Sequence, residues 1–559
     1  MFLFDLAAIA SAHRSDARRV VAGGFIKDVA ELMRILRAHR ARDPGPAVKR
    51  SLRLLRRYPR LRWPLRIVAA DDVRHGELTA GLAVTRRLLD VDDTEASRRQ
   101  EERIVDRLAE TEPGWRPTIG GPRRPVEPRA RNVVMHLLKA SLPDRQSGYT
   151  IRSRETLRAQ VDAGLEPFVV TPYGYPGDPA AGQDPVVEVV DGIRHHRLGP
   201  GADIEGMSPA KILSRTARSA ALVVQQERPA IIHAASGHRG YELALVGLAL
   251  REHLARPLVY EVRGFLEASW TGDSSVAETA ETAELTRRRY ATEDEVMAAA
   301  DGITTLGVAM RDELVERGVP AHKIIVVPNG IDPAAFAPTV ADPALRARYG
   351  LDGRWVFGYV SNMDHFREGH QLLIEATARL VADGRNVACL LVGDGSLRPQ
   401  LEASVAAAGL GDSVIFTGRV PHEEVGAHYA LLDAFVIARV PDRAATFVTP
   451  LKPYEAMATG VPIVVSDLPA LTEIAARDER GLVFPAGDAD ALAATLARLM
   501  DHPEQGARLA STARTWVLAE RTWAANGPRY RDFYASILDR FDPAVIAEAV
   551  AAGGGRRRT

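Results

Sequence analysis

Residues Trp355-Val356-Phe357-Gly358-Tyr359-Val360 form a short apolar run, and they open a series that decides the architecture. Runs at 388–392, 413–416, 434–437, 462–465 and 481–484 repeat its character, with helical spacing between them. Short apolar strands alternating with helices predict a parallel sheet in a doubly wound α/β unit. Upstream, runs at 132–138, 167–171, 230–233, 257–261, 302–306 and 323–327 form an earlier series of the same kind. Two series predict two Rossmann-like halves. Between them, Pro328-Asn329-Gly330-Ile331-Asp332 carries an Asn-Gly turn signal.

Length and composition fit this reading. At 559 residues the chain is too long for one ordinary core. Its 46% apolar and 26% charged residues exclude a disordered chain or a disulfide scaffold. The single cysteine, Cys389, lies in Val387-Ala388-Cys389-Leu390-Leu391-Val392, so no intrachain disulfide forms and the thiol reads as a small core hydrophobe. A reducing cytoplasm fits. The apolar start Met1-Phe2-Leu3-Phe4 lacks a basic region, is interrupted by Asp5 and ends at His13 and Arg14, so neither a signal peptide nor a membrane span is expected.

The first 125 residues read as a helical extension, with apolar residues three and four apart at Val29, Leu32, Met33 and Leu36. Only 65–70 suggests a strand there. The Pro-, Gly- and Arg-dense stretch 113–128 reads as a linker. Residues 1–70 carry 16 Lys and Arg against 5 Asp and Glu in a chain of zero net charge. Arg50, Arg53, Arg56, Arg57, Arg60, Arg62 and Arg66 alternate with Leu52, Leu54, Leu55, Leu61, Trp63 and Leu65, the mixture of an interfacial helix. The expected role is docking outside catalysis, on an anionic membrane surface or a protein partner. The competing reading is a solvated face whose arginines pair with acids. Nucleic acid is not expected, because no binding motif accompanies the charge.

The chemistry concentrates in Thr446-Phe447-Val448-Thr449-Pro450-Leu451-Lys452-Pro453-Tyr454-Glu455-Ala456-Met457-Ala458-Thr459-Gly460. A Thr-Pro pair opening a helix leaves free backbone N–H groups, and with the helix dipole these suit a diphosphate. Lys452 adds a full charge, and Glu455, one turn on, can accept hydrogen bonds from two ribose hydroxyls. A capped surface helix with an ion pair between these two is the alternative.

Together with this stretch, Ser147-Gly148-Tyr149 with Arg152, Tyr260-Glu261-Val262-Arg263-Gly264, Val327-Pro328-Asn329-Gly330-Ile331-Asp332, Gly393-Asp394-Gly395 and Phe416-Thr417-Gly418-Arg419-Val420-Pro421 resemble, in this order, the retaining glycosyltransferases of family 4. The resemblance covers about residues 130–540. It implies the GT-B fold, two facing Rossmann-like domains, and transfer of a sugar from a nucleotide-diphosphate sugar to a glycan, lipid-linked or small-molecule acceptor with retention of configuration. The expected division is 1–125 helical extension, 126–335 acceptor-side domain, 336–513 donor-side domain and 514–545 helices that cross back to the first domain.

The resemblance implies site roles. Lys452 and Glu455 are catalytic candidates that also hold the donor, beside Thr449, Pro450 and Leu451. Gly148, at the first strand-to-helix turn, lets backbone approach the donor phosphates. Gly418, Arg419 and Val420 look like the loop that contacts the base. Asn362 lies where the family's arginine falls, and Arg367 is one residue off the lysine position, now Glu368. Arg263 replaces the histidine often found over the donor sugar and is a third catalytic candidate, with an ion pair to Glu261 as its structural alternative. Phe447 stands where the first glutamate of the Glu-x7-Glu pattern falls. No cofactor or metal is expected, because Asp394 and Asp433 stand alone. The competing functions are another GT-B enzyme, such as a nucleotide-sugar epimerase or phosphorylase, and an impaired homologue serving as a scaffold or activating subunit. The expected location is cytoplasmic, peripheral at the inner membrane face if the extension docks on lipid.

Overall fold

The computed structural model describes residues 5, 7–10, 24–40, 44–177, 184–267 and 280–542. The apolar start 1–4, His13, Arg14 and the part of 514–545 beyond 542 lie outside them.

Two sheets dominate. The first has the order β3-β4-β2-β1-β5-β6-β7-β8. Its strands are β1 (Val133–Leu137), β2 (Glu166–Thr171), β3 (Val186–Val190), β4 (Ile193–Arg197), β5 (Ile231–Ala235), β6 (Leu258–Val262), β7 (Gly302–Thr305) and β8 (Ile324–Val326). All pairings are parallel except β3 with β4. The second sheet, all parallel, has the order β11-β10-β9-β12-β13-β14. It is built from β9 (Trp355–Val360), β10 (Val387–Val392), β11 (Val414–Gly418), β12 (Ala434–Ile437), β13 (Ile463–Ser466) and β14 (Gly481–Phe484). Each expected run became a strand because a parallel strand covered on both faces is apolar along its whole length. Cys389 lies fully buried in β10, and burial pushes its thiol up to about 12.

Strand order reverses between β1 and β5 in the first sheet and between β9 and β12 in the second. In open α/β sheets the crevice beyond the strand ends at such a point is where ligands bind. The loops after β1, β5, β9 and β12 are therefore the ones to follow.

The chain passes between the halves twice, and the two passages are joined. Ile331 N–H donates to the Arg521 carbonyl at 2.8 Å, and Trp523 N–H to the Ile331 carbonyl at 3.3 Å. A β-carbon on Gly330 would lie 2.7 Å from the Trp523 nitrogen, so only glycine permits the crossing. Helix Pro503–Glu520 stays on the second half, where Arg480 and Arg521 lie 4.0 and 4.5 Å from the Trp516 ring centroid. The return begins after Glu520. Helix Asn526–Arg540 lays Tyr530, Phe533, Tyr534 and Ile537 against Val134, Ile231, Val259 and Val327 of the first half.

Two expectations for the extension are corrected. Residues 65–70 lie inside helix Arg62–Arg74, where Pro64 fits the first turn and Leu65, Ile67, Val68 and Ala69 all bury. Most leucines of the basic cluster do not face outward: Leu54, Leu55, Leu61 and Leu65 turn inward with Leu32 and Ile35, and Leu52 stays exposed. Five of the seven arginines pair with acids of the extension itself: Arg50 and Arg53 with Glu31, Arg57 with Asp28, and Arg62 and Arg66 with Asp92. The extension packs on the first half through Leu78, Ile104 and Leu285, and its Glu110 reaches Arg239 at 3.6 Å. Residues of the 113–128 stretch lie as a strap on the same half, with Val126 N–H donating to the Leu254 carbonyl at 3.0 Å. Among the described residues no helix is long and apolar enough to cross a membrane.

Candidate functional site

The ends of both sheets frame a cleft of about 640 Å³ between the halves. Gln146, Ser147, Gly148 and Ile151 line it from the first half, and Ser361, Asn362, Asp394, Arg419, Val420 and Lys452 from the second.

Two helix N-termini converge there. Helix Gly148–Asp162 follows β1, and Ser147 closes its start in a capping box with Thr150. Helix Lys452–Thr459 starts at Lys452 rather than at the Thr-Pro pair, with Pro453 in its first turn. A β-carbon on Gly148 would come within 3.6 Å of the Leu451 side chain, so the two helix starts nearly touch. Both present free N–H groups and positive dipole ends to one cleft.

Glu455 is buried, and its Oε2 accepts from Tyr429 Oη at 2.8 Å and Lys452 Nζ at 3.1 Å. Its Oε1 has only a 3.5 Å contact with Lys452. Burial and Glu455 together raise the Tyr429 phenol well above its ordinary range, so it remains a donor. Thr449 is engaged in positioning: its Oγ1 donates to the Leu306 carbonyl at 3.4 Å, and its carbonyl accepts from Asn329 Nδ2 at 3.0 Å.

Behind the first-half wall lies a buried charge network. Glu261 Oε1 accepts from Arg152 at 3.0 and 2.8 Å, and Oε2 from Arg263 at 2.6 Å. Burial alone would raise this carboxyl, but Arg263 and Arg152 hold it well below the usual carboxylate range. Arg152 also donates to the carbonyls of Val327 and Pro328 and to Asn329 Oδ1, whose amide then reaches Thr449. The network therefore runs from β6 to the start of the donor-side helix. His233 is a wall residue, 3.3 Å from Glu261 and 2.7 Å from Tyr534 Oη.

The structure brings Gly148, Asn362, Arg419, Val420 and Lys452 to the cleft lining, with Leu451 beside Gly148 and Gly418 closing β11 at positive φ. Arg263, Arg367, Thr449, Pro450 and Glu455 are not in that lining, and Glu455 meets it only through Lys452. Arg263 is committed to Glu261, Ser153 and the Tyr149 ring. Arg367 lies 3.7 Å from Asp442. Glu368, at the expected lysine position, is buried, accepts from Tyr359 Oη at 2.5 Å and forms two bonds with Arg439, at 3.2 and 3.0 Å. Sequence reading missed Arg439 and the Asn329–Thr449 link, and no local signal marks either. It also passed over Ser147-x-x-Thr150, which does carry a helix-start signature.

Two facing Rossmann-like domains, with helix starts and a lysine converging on the cleft between them, define a GT-B glycosyl transferase. Residues 147–330 match the family model described as "Glycosyl transferase 4-like domain" and 354–502 that described as "Glycosyl transferases group 1", together more than half of the chain. The chain belongs to the group 1, family 4 glycosyl transferases. It is 32% identical over 226 residues to 2-deoxystreptamine glucosyltransferase of Streptomyces kanamyceticus, covering 40% of this chain and 57% of that protein. It is 29% identical over 290 residues to a GDP-mannose-dependent alpha-(1-6)-phosphatidylinositol monomannoside mannosyltransferase of Mycolicibacterium smegmatis, covering 51% and 72%. In fold it is similar to sucrose-phosphate synthase from Thermosynechococcus elongatus, with a TM-score of 0.59 at 21% identity over 73% of this chain and 99% of that one.

Proposed function

We propose that the cleft transfers a hexosyl group from a nucleoside-diphosphate sugar to an acceptor with retention of configuration. The convergence of the two helix starts on Lys452 carries the reading, since a departing diphosphate is stabilised by preorganised donors of this kind. Lys452 takes the diphosphate, Glu455 Oε1 the ribose hydroxyls, and the 418–420 loop the base. Asp394 is the only carboxylate among the described residues lining the cleft, and its Oδ1 accepts from Gly395 N–H. This lining favours preorganised donors over a glycosidase-type pair of carboxylates. The donor-side resemblance extends to relatives that use GDP-mannose, which makes GDP- and UDP-sugars the first panel. Turnover of such a panel with a mixed acceptor set, and the anomeric configuration of any product by NMR, tests the proposal; binding without turnover or hydrolysis of any donor would count against it.

A second reading, a binding-only homologue, is favoured by two observations. Phe447, at the first-glutamate position, packs edge-on against Phe265 at 5.8 Å, and Glu368, at the lysine position, is neutralised by Arg439. Donor hydrolysis by the purified protein separates the two.

A further inference from the structure

The loop after β1 carries a lysine that makes no ion pair among the described residues. Lys139 is half-buried; its Nζ donates to the Gly237 carbonyl at 3.2 Å and lies 4.6 Å from the Tyr149 ring centroid. Among the described residues no carboxylate lies within 4 Å of it. The neighbouring acids are all engaged. Glu242 caps the N–H groups of His238 and Arg239, Glu110 faces Arg239, and Glu261 holds Arg152 and Arg263. Arg145, exposed on the same loop and next to the cleft-lining Gln146, has no ion pair among the described residues. Arg263 lies 4.5 Å from the Tyr149 ring centroid, and its buried Nε has no partner.

A desolvated cation without a counter-ion is costly, and a ligand that supplies the anion recovers that cost. Burial, with Arg263 and Arg145 nearby, pushes the Lys139 ammonium below its ordinary range even though Glu242 draws it the other way. The group stands at the β1/β5 switch point, beside the cleft-lining Gln146 on the side of the cleft opposite Lys452. The two relatives' printed acceptors differ in charge: 2-deoxystreptamine carries amines, and a phosphatidylinositol monomannoside carries a phosphodiester. Excess cation at this rim repels the first and attracts the second.

We propose that the acceptor bears a phosphate ester, which seats between Lys139 and Arg145 at the first-half rim of the cleft. This rests on the glycosyl transferase reading of the same cleft.

The test uses the full chain saturated with GDP or UDP, so that the Lys452 seat is filled, and titrates myo-inositol 1-phosphate by calorimetry. A parallel arm measures sedimentation with phosphatidylcholine vesicles containing phosphatidylinositol. Binding in either arm, weakened at least tenfold in Lys139→Met and in the exposed Arg145→Ala, and retained in Lys139→Arg, is expected. Binding in the first arm alone identifies a soluble phosphate ester, and in the second alone a lipid headgroup. Equal binding by wild type and both charge-removing variants, or no binding in either arm, overturns the proposal. Nucleoside-diphosphate affinity is measured separately on each variant: unchanged affinity with lost phosphate binding isolates the acceptor site, whereas absence of nucleotide binding in the wild type means that the donor reading itself has failed.

Discussion

Arg443, carried by the second half, meets Glu313 of the first half at 2.7 Å, with its guanidinium 4.3 Å from the Phe265 ring centroid and 5.0 Å from that of Tyr290. Glu313 belongs to helix Val308–Glu316, and at the start of that helix the N–H groups of Val308 and Ala309 donate to Glu473 of the second half at 2.9 and 3.2 Å. One helix of the first half is thus gripped at both ends by side chains of the second. Each charge has the sign that the helix dipole favours at its end.

Opening the cleft must break this grip. Arg443→Ala is expected to disfavour the closed form by about 1.5–3 kcal/mol, the range for hydrogen bonds to charged groups. Small-angle scattering should show a larger radius of gyration, and the donor KM should rise. An unchanged scattering profile in Arg443→Ala combined with Glu473→Ala would show that other contacts hold the halves.

Lys452→Ala is expected to weaken nucleoside-diphosphate binding by about 1.5–3 kcal/mol, because it removes a charge-assisted bond. Glu455→Ala should also weaken it, and it leaves Tyr429 Oη without its 2.8 Å acceptor. Unchanged affinity in both variants would remove these residues from the donor site.

Transfer should proceed in excess chelator. Two helix N-termini and Lys452 supply the positive potential that a divalent ion would otherwise provide. Activity lost on chelation and restored by magnesium or manganese would contradict this account.

Stability should fall as pH drops below about 6.5. Burial pushes the imidazoles of His136, His195 and His370 down to about 3, 4 and 4. The unfolded chain therefore takes up protons that the folded chain refuses, at about 2 kcal/mol per histidine by pH 5. Glu293 acts in the opposite sense: burial and Glu267 raise it to about 8, so its contribution is fully present below about 4.5 and is lost as pH rises towards 8. Asp72, raised by burial to about 6, acts in the same sense as Glu293, and three imidazoles outweigh these two carboxyls between pH 6.5 and 5. A melting temperature that rises from pH 7 to pH 5 would reverse this ordering.

Tyr534→Phe removes a hydroxyl that bonds His233 at 2.7 Å and accepts from Gln160 at 3.1 Å. Leaving such buried groups unpaired costs about 1–3 kcal/mol, and denaturant unfolding should show a loss of that size. No loss would mean that this hydroxyl does not help to hold the returning helix.

The central strands were legible because burial on both faces leaves an apolar run with few alternatives. The hairpin β3–β4 was not recognised, although Asp191-Gly192 carries the signal for it and both residues adopt positive φ. Its exposed valines, Val187 and Val189, follow no core period because they lie at the sheet edge. At the site, Lys452 and Gly148 were readable as helix-start chemistry, a local property. The commitment of Arg263 to Glu261 and of Glu368 to Arg439 depends on which strands the fold sets side by side, and no spacing in the chain encodes that. The run 65–70 misled because four buried residues within five positions suit a helix packed on several sides as well as a strand.

Cys389 offers a route to the motion inferred from Arg443. Its thiol is sealed inside β10 and held protonated, so the native chain is silent towards maleimide reagents. A pair of cysteines introduced at exposed positions, one on each half, would then carry fluorophores without background labelling. Energy transfer between them would read the separation of the halves directly, donor by donor and acceptor by acceptor.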